Sequence, residues 1–211
     1  MKQITILTTL LFFALMPMMA QNKAAKNENE KLQYIRDRYA AEQLHASQSK
    51  DPNIPNNYTT ITRKENRAAA GQCNEQVELF YDEVYASDEE PYPSSYKLTY
   101  VRRSFNIAAR QFYQELLYDV DGQPLFWFIR YDCWFADADD FNKAEIRFYY
   151  DNGKLLKAIY KVADENGKMK EVKDGTIFQE DLDGLCSSPL DNFQEFKELF
   201  DVYYNKYYNN D

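Results

Sequence analysis

The sequence LFWFIRYDCW, residues 125–134, decides the fold that we predict for this chain. Leu125, Trp127 and Ile129 would lie on one face of an extended strand, with phenylalanines on the other face. A strand that is apolar on both faces is usually central in its sheet and covered on both sides. The sequence therefore predicts a sheet in which residues 125–134 form a central strand.

The segments around this strand show an apolar period of two residues, which is typical of strands. Asp121-Gly122 and Asp151-Asn152-Gly153 separate neighbouring segments, and such pairs supply the positive backbone angles that tight hairpin turns need. We therefore expect an antiparallel meander of about six strands. The six segments are residues 77–81, 96–105, 112–120, 124–134, 143–150 and 155–163. Residues 58–62 fit a further short strand.

Two helices are predicted, one on either side of the meander. Residues 29–47 form the first, with apolar positions at helical spacing at Leu32, Ile35, Tyr39 and Leu44. Ser188 can cap the second helix, and Pro189 suits its first turn. Its apolar stripe comprises Leu190, Phe193, Phe196, Phe200, Tyr203 and Tyr207. The predicted fold class is thus α+β, an antiparallel β-meander flanked by an N-terminal helix and a C-terminal amphipathic helix.

The first twenty residues have the layout of a secretory signal peptide. Lys2 supplies a positive charge, residues 4–16 form an apolar stretch, and the small Ala20 follows. This pattern predicts cleavage after Ala20 and a secreted or periplasmic protein, with no stable membrane insertion after cleavage. We divide the chain into a signal peptide (1–20), an N-terminal helical arm and linker (21–72), and a sheet domain with the C-terminal helix (73–211).

The composition limits the partners that we expect. The chain has 25 Lys and Arg against 34 Asp and Glu, a net charge of −9 that becomes −10 when Lys2 leaves with the signal peptide. A surface this acidic repels nucleic acid and anionic lipid. The 18 tyrosines and 14 phenylalanines suit strand and core positions, and they also suit an exposed platform for a glycan or a peptide. We expect a protein, peptide or glycan as the partner and no nucleic acid.

Three cysteines, Cys73, Cys133 and Cys186, remain in the exported chain. An odd number in an oxidising compartment allows at most one internal disulfide. The pairing stays open, with Cys73 and Cys186 as the preferred pair. No two cysteines have the spacing of zinc ligands, so the sequence predicts no metal site from them.

Two hairpin sequences in the chain are alike. Residues 117–125 and 148–156 share an acidic or amide residue before a glycine, and the pattern resembles the hairpin units of MORN-like bacterial repeat proteins. Two copies are fewer than a stable repeat array needs. The layout as a whole, with YVRRSFNIAAR at residues 100–110, resembles small uncharacterised secreted envelope proteins of Gram-negative bacteria. That resemblance implies no activity and no functional residues.

No catalytic constellation is visible in the sequence. His45 is the single histidine, and the predicted N-terminal helix is a poor place for the base of a triad. Acidic clusters occur at residues 137–140 and 180–183, and a glycosidase needs only two suitably spaced carboxylates. A calcium loop of EF-hand type starting at Gln179 lacks its acidic first and twelfth ligands. We predict no cofactor and no metal site.

Three arginines stand out in so acidic a chain. Arg102, Arg103 and Arg110 lie on or beside one predicted strand and are candidates for a clamp on a carboxylate or phosphate of a ligand; the alternative is pairing with local acids. The leading hypothesis is an exported, non-catalytic binding or interaction protein of the bacterial envelope. Its alternative is a carboxylate-based, glycosidase-like hydrolase in the same compartment, and a third hypothesis is an assembly partner in the envelope.

Overall fold

The structure is a computed structural model that describes residues 27–51, 57–69, 71–133, 142–173, 175–178 and 188–205. Within these residues it has an α+β fold with one helix before the sheet and one after it. The helices are α1 (residues 27–48) and α2 (Pro189–Tyr204). The strands are β1 (Tyr58–Arg67), β2 (Gly71–Val84), β3 (Ser95–Ile107), β4 (Arg110–Tyr118), β5 (Pro124–Cys133), β6 (Asn142–Asp151), β7 (Lys154–Ala163) and β8 (Met169–Val172).

The described strands form one antiparallel sheet in the order of the sequence, β1 to β8. This confirms the predicted meander, with eight strands where about six were expected. The strands beyond those six are the edges of the sheet: β1, which contains the short strand predicted at residues 58–62, and β8. β5 lies inside it, and residues 125–129 are all buried, as the two-sided apolar pattern predicted.

The predicted linker is part of the sheet. Residues 63–72 show no apolar period, which is typical of a linker, but residues 63–67 form the end of β1 and residues 71 and 72 the start of β2. The register pairs Arg63 with Glu75 and Lys64 with Asn74. An edge strand whose ends carry polar residues on both faces has no apolar pattern to reveal it. The sheet therefore begins at Tyr58, ahead of the domain boundary that the sequence predicts at residue 72.

The hairpin turns are of two kinds. Asn152 and Gly153 both have positive φ, 49° and 73°, as a two-residue turn of this type requires. Gly122 also has a positive φ, but it lies in a longer loop in which Asp119 accepts hydrogen bonds from the backbone. Asp164 holds the loop around Gly167 in the same way. The loop at Gly122 therefore has the hydrogen-bond pattern of the loop at Gly167, and it differs from the Gly153 turn that its sequence resembles.

The chain divides into two compact units inside α1, between Arg38 and Tyr39. In the first unit, residues 27–38 are helical, and Leu32 and Ile35 are buried. In the second unit, the helix buries Glu42 and Ala46, whereas Leu44 is 59% exposed. The prediction of Leu44 in the apolar stripe is wrong, because a charged residue takes the place one turn after Tyr39.

Helix α2 packs on one face of the sheet, which we call the α2 face. Ser188 caps the helix in a capping box with Asp191, and Pro189 is its first residue, as predicted. Phe193, Phe196 and Phe200 are buried against an aromatic-rich core. The Phe193 ring contacts the rings of Tyr118 and Tyr150, and the Phe200 ring contacts that of Tyr81. Tyr204 of the helix contacts the ring of Tyr96.

The predicted stripe of α2 is correct at its centre and wrong at its margins. Leu190 and Tyr203 are 40% and 46% exposed, and Tyr204 packs on the sheet in place of Tyr203. The helix residues that pack on the sheet are three, four and four positions apart, at Phe193, Phe196, Phe200 and Tyr204. This spacing places Tyr203 on the flank of the helix. Tyr207 lies outside the described residues. In the part of the chain that the structure describes, no helix is long and apolar enough to cross a membrane.

Candidate functional site

The three predicted site arginines lie on two different faces of the sheet. Arg102 and Arg103 are consecutive in β3, so their side chains leave opposite faces of the sheet. Arg103 points to the α2 face, where its guanidinium lies 5.5 Å from the centre of the Phe196 ring. Arg102 points to the other face, which we call the α1 face. Arg110 begins β4 and is stacked near Phe112 on the α2 face.

Arg102 belongs to a buried polar network between α1 and the sheet. Glu115 in β4 is 3% exposed, and its carboxylate accepts hydrogen bonds from the hydroxyls of Tyr39 and Tyr113. Arg102 lies opposite Glu115 in the register, with Nε 3.8 Å from Oε1. Gln43 of α1 also donates to Glu115. The network satisfies the buried carboxylate and ties the second half of α1 to the sheet.

Burial sets the ionisation of the tyrosines in this network. The pKa of Tyr39 is raised well above its usual value, first by loss of solvation and then by the nearby charge of Glu115. The pKa of Tyr113 is raised for the same two reasons. Both hydroxyls are therefore protonated at neutral pH, and each donates a hydrogen bond to the carboxylate. This arrangement is suited to holding the helix in place.

Arg103 lies in a groove whose other charged residues come from β1 and β2. Its Nη2 is 2.6 Å from Oε1 of Glu75. Arg63 contacts both Glu65 and Glu75, and Nε of Arg67 is 2.7 Å from Oε2 of Glu65. Hydrogen bonds from Arg67 and Arg63 lower the pKa of Glu65. The groove thus combines three arginines with two carboxylates that neutralise most of their charge.

This arginine groove encloses about 160 Å³. Phe105 and Ile107 form its apolar side, and the Arg103 guanidinium lies 4.4 Å above the centre of the Phe105 ring. Sequence reasoning missed Arg63 and Arg67 because they lay in the assumed linker. Arg110 does not line this groove; its Nε donates to the backbone oxygen of Asp132 at 2.7 Å. The pairing alternative describes Arg103 best, and ligand binding by any of the three arginines stays a prediction.

The opposite side of the same strand ends carries mainly uncharged polar side chains. We call it the amide face, formed by Thr62, Lys64, Asn74, Gln76, Ser104, Asn106 and Gln111. Thr62 pairs with Gln76, and Gln76 with Ser104, so that these side chains form a row across β1, β2 and β3. Tyr113 continues the row in β4. An open depression of about 500 Å³ lies over this face.

A second depression of about 250 Å³ adjoins the first. Gln76 and Ser104 line both, so the two form one continuous surface. The second depression is bounded by Lys50, which follows α1, and by Glu78, whose carboxylate is 2.6 Å from the lysine Nζ. The combined surface therefore runs from the ends of β1–β4 toward the end of α1.

The other predicted chemical groups give no reaction centre. His45 is half-buried on α1, with Nδ1 3.5 Å from a carboxylate oxygen of Glu42. Cys73 is a free thiol within the described residues. Cys186 lies outside them, so its pairing with Cys73 stays a prediction. The acidic clusters at residues 137–140 and 180–183 lie outside the described residues, as does the calcium-like spacing from Gln179. Within the described ranges, no group of three or more His, Cys, Asp or Glu is arranged to hold a metal ion.

Comparison of the chain with protein-family models, with curated proteins and with solved structures found no match. The function must therefore be argued from the geometry of the strand ends and of the two faces of the sheet.

Proposed function

We propose that this is an exported, non-catalytic binding protein of the bacterial envelope. Its ligand contacts four strand ends that lie side by side: the end of β1, the start of β2, the end of β3 and the start of β4. The observation that carries the proposal is the arrangement of these four strand ends. On the α2 face they form the arginine groove, and on the α1 face they form the amide face. Exposed polar groups on rigid, adjacent strands are a preorganised binding surface, because the sheet fixes their spacing.

Export is the second part of the proposal and rests on the pattern of residues 1–20. A positive residue, an apolar stretch and a small residue before the polar chain are the ordinary features of a cleaved signal peptide. N-terminal sequencing of the protein from the periplasm or medium should give a chain that begins at Gln21. A chain that retains Met1 and stays with the membrane fraction would contradict export.

Binding is tested with purified residues 21–211 on an array that presents neutral glycans, acidic glycans and peptides. We expect retention of one of these classes, and loss of retention when Ser104, at the middle of the row, is replaced by Arg. Gln123→Arg is the matched control, because Gln123 is an exposed amide in the loop between β4 and β5. Retention of no class, or equal loss in both variants, would overturn the proposal.

The hydrolase alternative has less support from the described residues. Glu115 is buried and accepts hydrogen bonds from two tyrosine hydroxyls, and Glu78 binds Lys50. Neither carboxylate is poised to act on a glycosidic bond, which needs one free acid and one free base or nucleophile. The same array decides the question, since cleavage of a retained glycan during incubation would favour the hydrolase.

A further inference from the structure

The amide face has unused hydrogen-bonding capacity. Thr62, Ser104 and Gln111 are exposed, and within the described part of the chain their side chains have no hydrogen-bonding partner. Two hydroxyls and one amide together offer several donors and acceptors. The arginine groove differs in this respect, because its guanidinium groups already contact Glu65 and Glu75.

Other members of the face are held in fixed orientations. The Asn106 amide donates to the backbone oxygens of Gln72 and Ala108 at 2.8 and 2.9 Å, and its own oxygen accepts from the backbone of Asn74 at 2.7 Å. Gln76 Nε2 donates to Glu78 at 3.3 Å, which leaves the Gln76 oxygen free to accept. Side chains fixed in this way lose little conformational entropy when a ligand binds.

The size of the surface suits an extended small ligand. Four adjacent strands spaced about 4.8 Å apart place the ends of the row about 14 Å from each other. The main depression of about 500 Å³ falls within the usual range of ligand sites, which is about 300–1,000 Å³. Tyr113 adds an aromatic ring at one end of the row.

We infer that the amide face binds an uncharged, hydroxyl-rich oligosaccharide. This inference rests on the proposed binding function and names its ligand class. Hydroxyl groups both donate and accept, which matches amide and hydroxyl side chains, and a tyrosine ring can pack against the apolar face of a sugar. Among the described residues that line the main depression, Phe105 is the one wholly apolar side chain, which is too little for a hydrophobic ligand but offers an apolar contact to a sugar ring. The lysine of this face, Lys64, shares the main depression with the carboxylate of Glu75. The cations of the adjoining depression, Lys50 and Arg102, contact Glu78 and Glu115, so little net positive charge remains to select a phosphate or a polyanion.

Calorimetric titration tests the inference with soluble neutral hexasaccharides of glucose, mannose, xylose and N-acetylglucosamine, and with hexagalacturonate as the acidic comparison. We expect binding of at least one neutral sugar, with an affinity that is nearly the same at low and high salt, because no ion pairs form. Gln76→Ala/Gln111→Ala should weaken this binding at least about tenfold through loss of two side-chain hydrogen bonds. Gln123→Ala is the control and should bind as the wild type does. Unchanged melting temperatures show that all variants are folded.

The outcomes separate this inference from the proposed function. Binding of hexagalacturonate alone, or of peptides alone, overturns the oligosaccharide inference and leaves a binding protein. Neutral-sugar binding that the double variant does not weaken also overturns it, because the sugar then binds elsewhere. Failure to bind any ligand class on the array or in titration overturns the proposed function as well.

Discussion

The second half of α1, from Tyr39 onward, and helix α2 pack on opposite faces of the sheet by different chemistry. Helix α2 inserts Phe193, Phe196 and Phe200, none more than 2% exposed, into an aromatic core. The second half of α1 contacts the sheet mainly through Tyr39 and polar side chains around Glu115. Burial of large apolar area stabilises without regard to direction, whereas a buried polar contact stabilises only while every partner is present. The α2 contact should therefore contribute more to the free energy of unfolding, whereas the α1 contact should depend on each member of its hydrogen-bond network.

The largest effect is expected at the α2 contact. Phe196→Ala or Phe200→Ala should lower the free energy of unfolding by about 3–5 kcal/mol, the usual cost of removing a buried aromatic side chain. Thermal or denaturant unfolding measures this loss. Tyr203→Ala on the exposed flank is the matched control and should change stability by less than about 0.5 kcal/mol. Wild-type melting of both phenylalanine variants would show that α2 is not docked.

The α1 contact should respond to loss of its single acceptor. Glu115→Ala leaves the hydroxyls of Tyr39 and Tyr113 without their carboxylate and should cost about 3 kcal/mol. Tyr39→Phe keeps the ring that packs on Phe126 and removes one hydrogen bond, so it should cost about 1–1.5 kcal/mol. Equal costs for the two variants would mean that the carboxylate is not the centre of the network.

The turn between β6 and β7 gives a further reference. Gly153 has a φ of 73°, and a β-branched residue resists that conformation, so Gly153→Val should cost about 1–3 kcal/mol. Gly167 has a similar positive φ of 75°, so Gly167→Val should destabilise as well. The Gly153→Val cost should add to that of Phe200→Ala within about 0.5 kcal/mol in a double variant. A large departure from additivity would show that the turn and α2 are coupled.

High pH should weaken both contacts through their buried tyrosines. Burial raises the pKa of Tyr118, whose hydroxyl donates to the backbone of Phe193, and the pKa of Tyr39 is also raised. A raised pKa in the folded state means that the stabilisation is complete below the ordinary tyrosine value of about 10 and decreases above it. Each such tyrosine should lower the free energy of unfolding by about 1.4 kcal/mol for every pH unit above that value, up to its raised pKa in the folded state. Denaturant unfolding at increasing pH, with tyrosinate absorbance, measures this; titration of all tyrosines before unfolding would contradict it.

The α2 contact could be predicted because its pattern is apolar. Phenylalanines at helical spacing, a serine cap and a following proline are all local signals, and the structure confirms them. The α1 contact could not be predicted, because Glu42 and Glu115 are buried and nothing in a charged residue's identity signals burial. Their partners are distant in sequence: Thr99 donates to Glu42, and Tyr39 to Glu115.

The candidate site was predicted least well, for two physical reasons. The opposite directions of Arg102 and Arg103 follow from strand alternation and could have been deduced from their adjacency. The row of Thr62, Gln76 and Ser104 could not, since it depends on the register of three strands and on a first strand that lacks an apolar period. Uncharged polar side chains become recognisable as a site only when the sheet brings them side by side.

Backbone NMR of the mature chain, titrated with the neutral hexasaccharide that binds best, tests the proposed site most directly. The chemical-shift changes should centre on Thr62, Gln76, Ser104 and Gln111, with little change at Arg103 on the opposite face. The dissociation constant from these shift changes should equal the one that calorimetry gives for the same sugar. Shift changes that centre on the arginine groove, or on β5–β8, would contradict the assignment of the amide face as the binding surface.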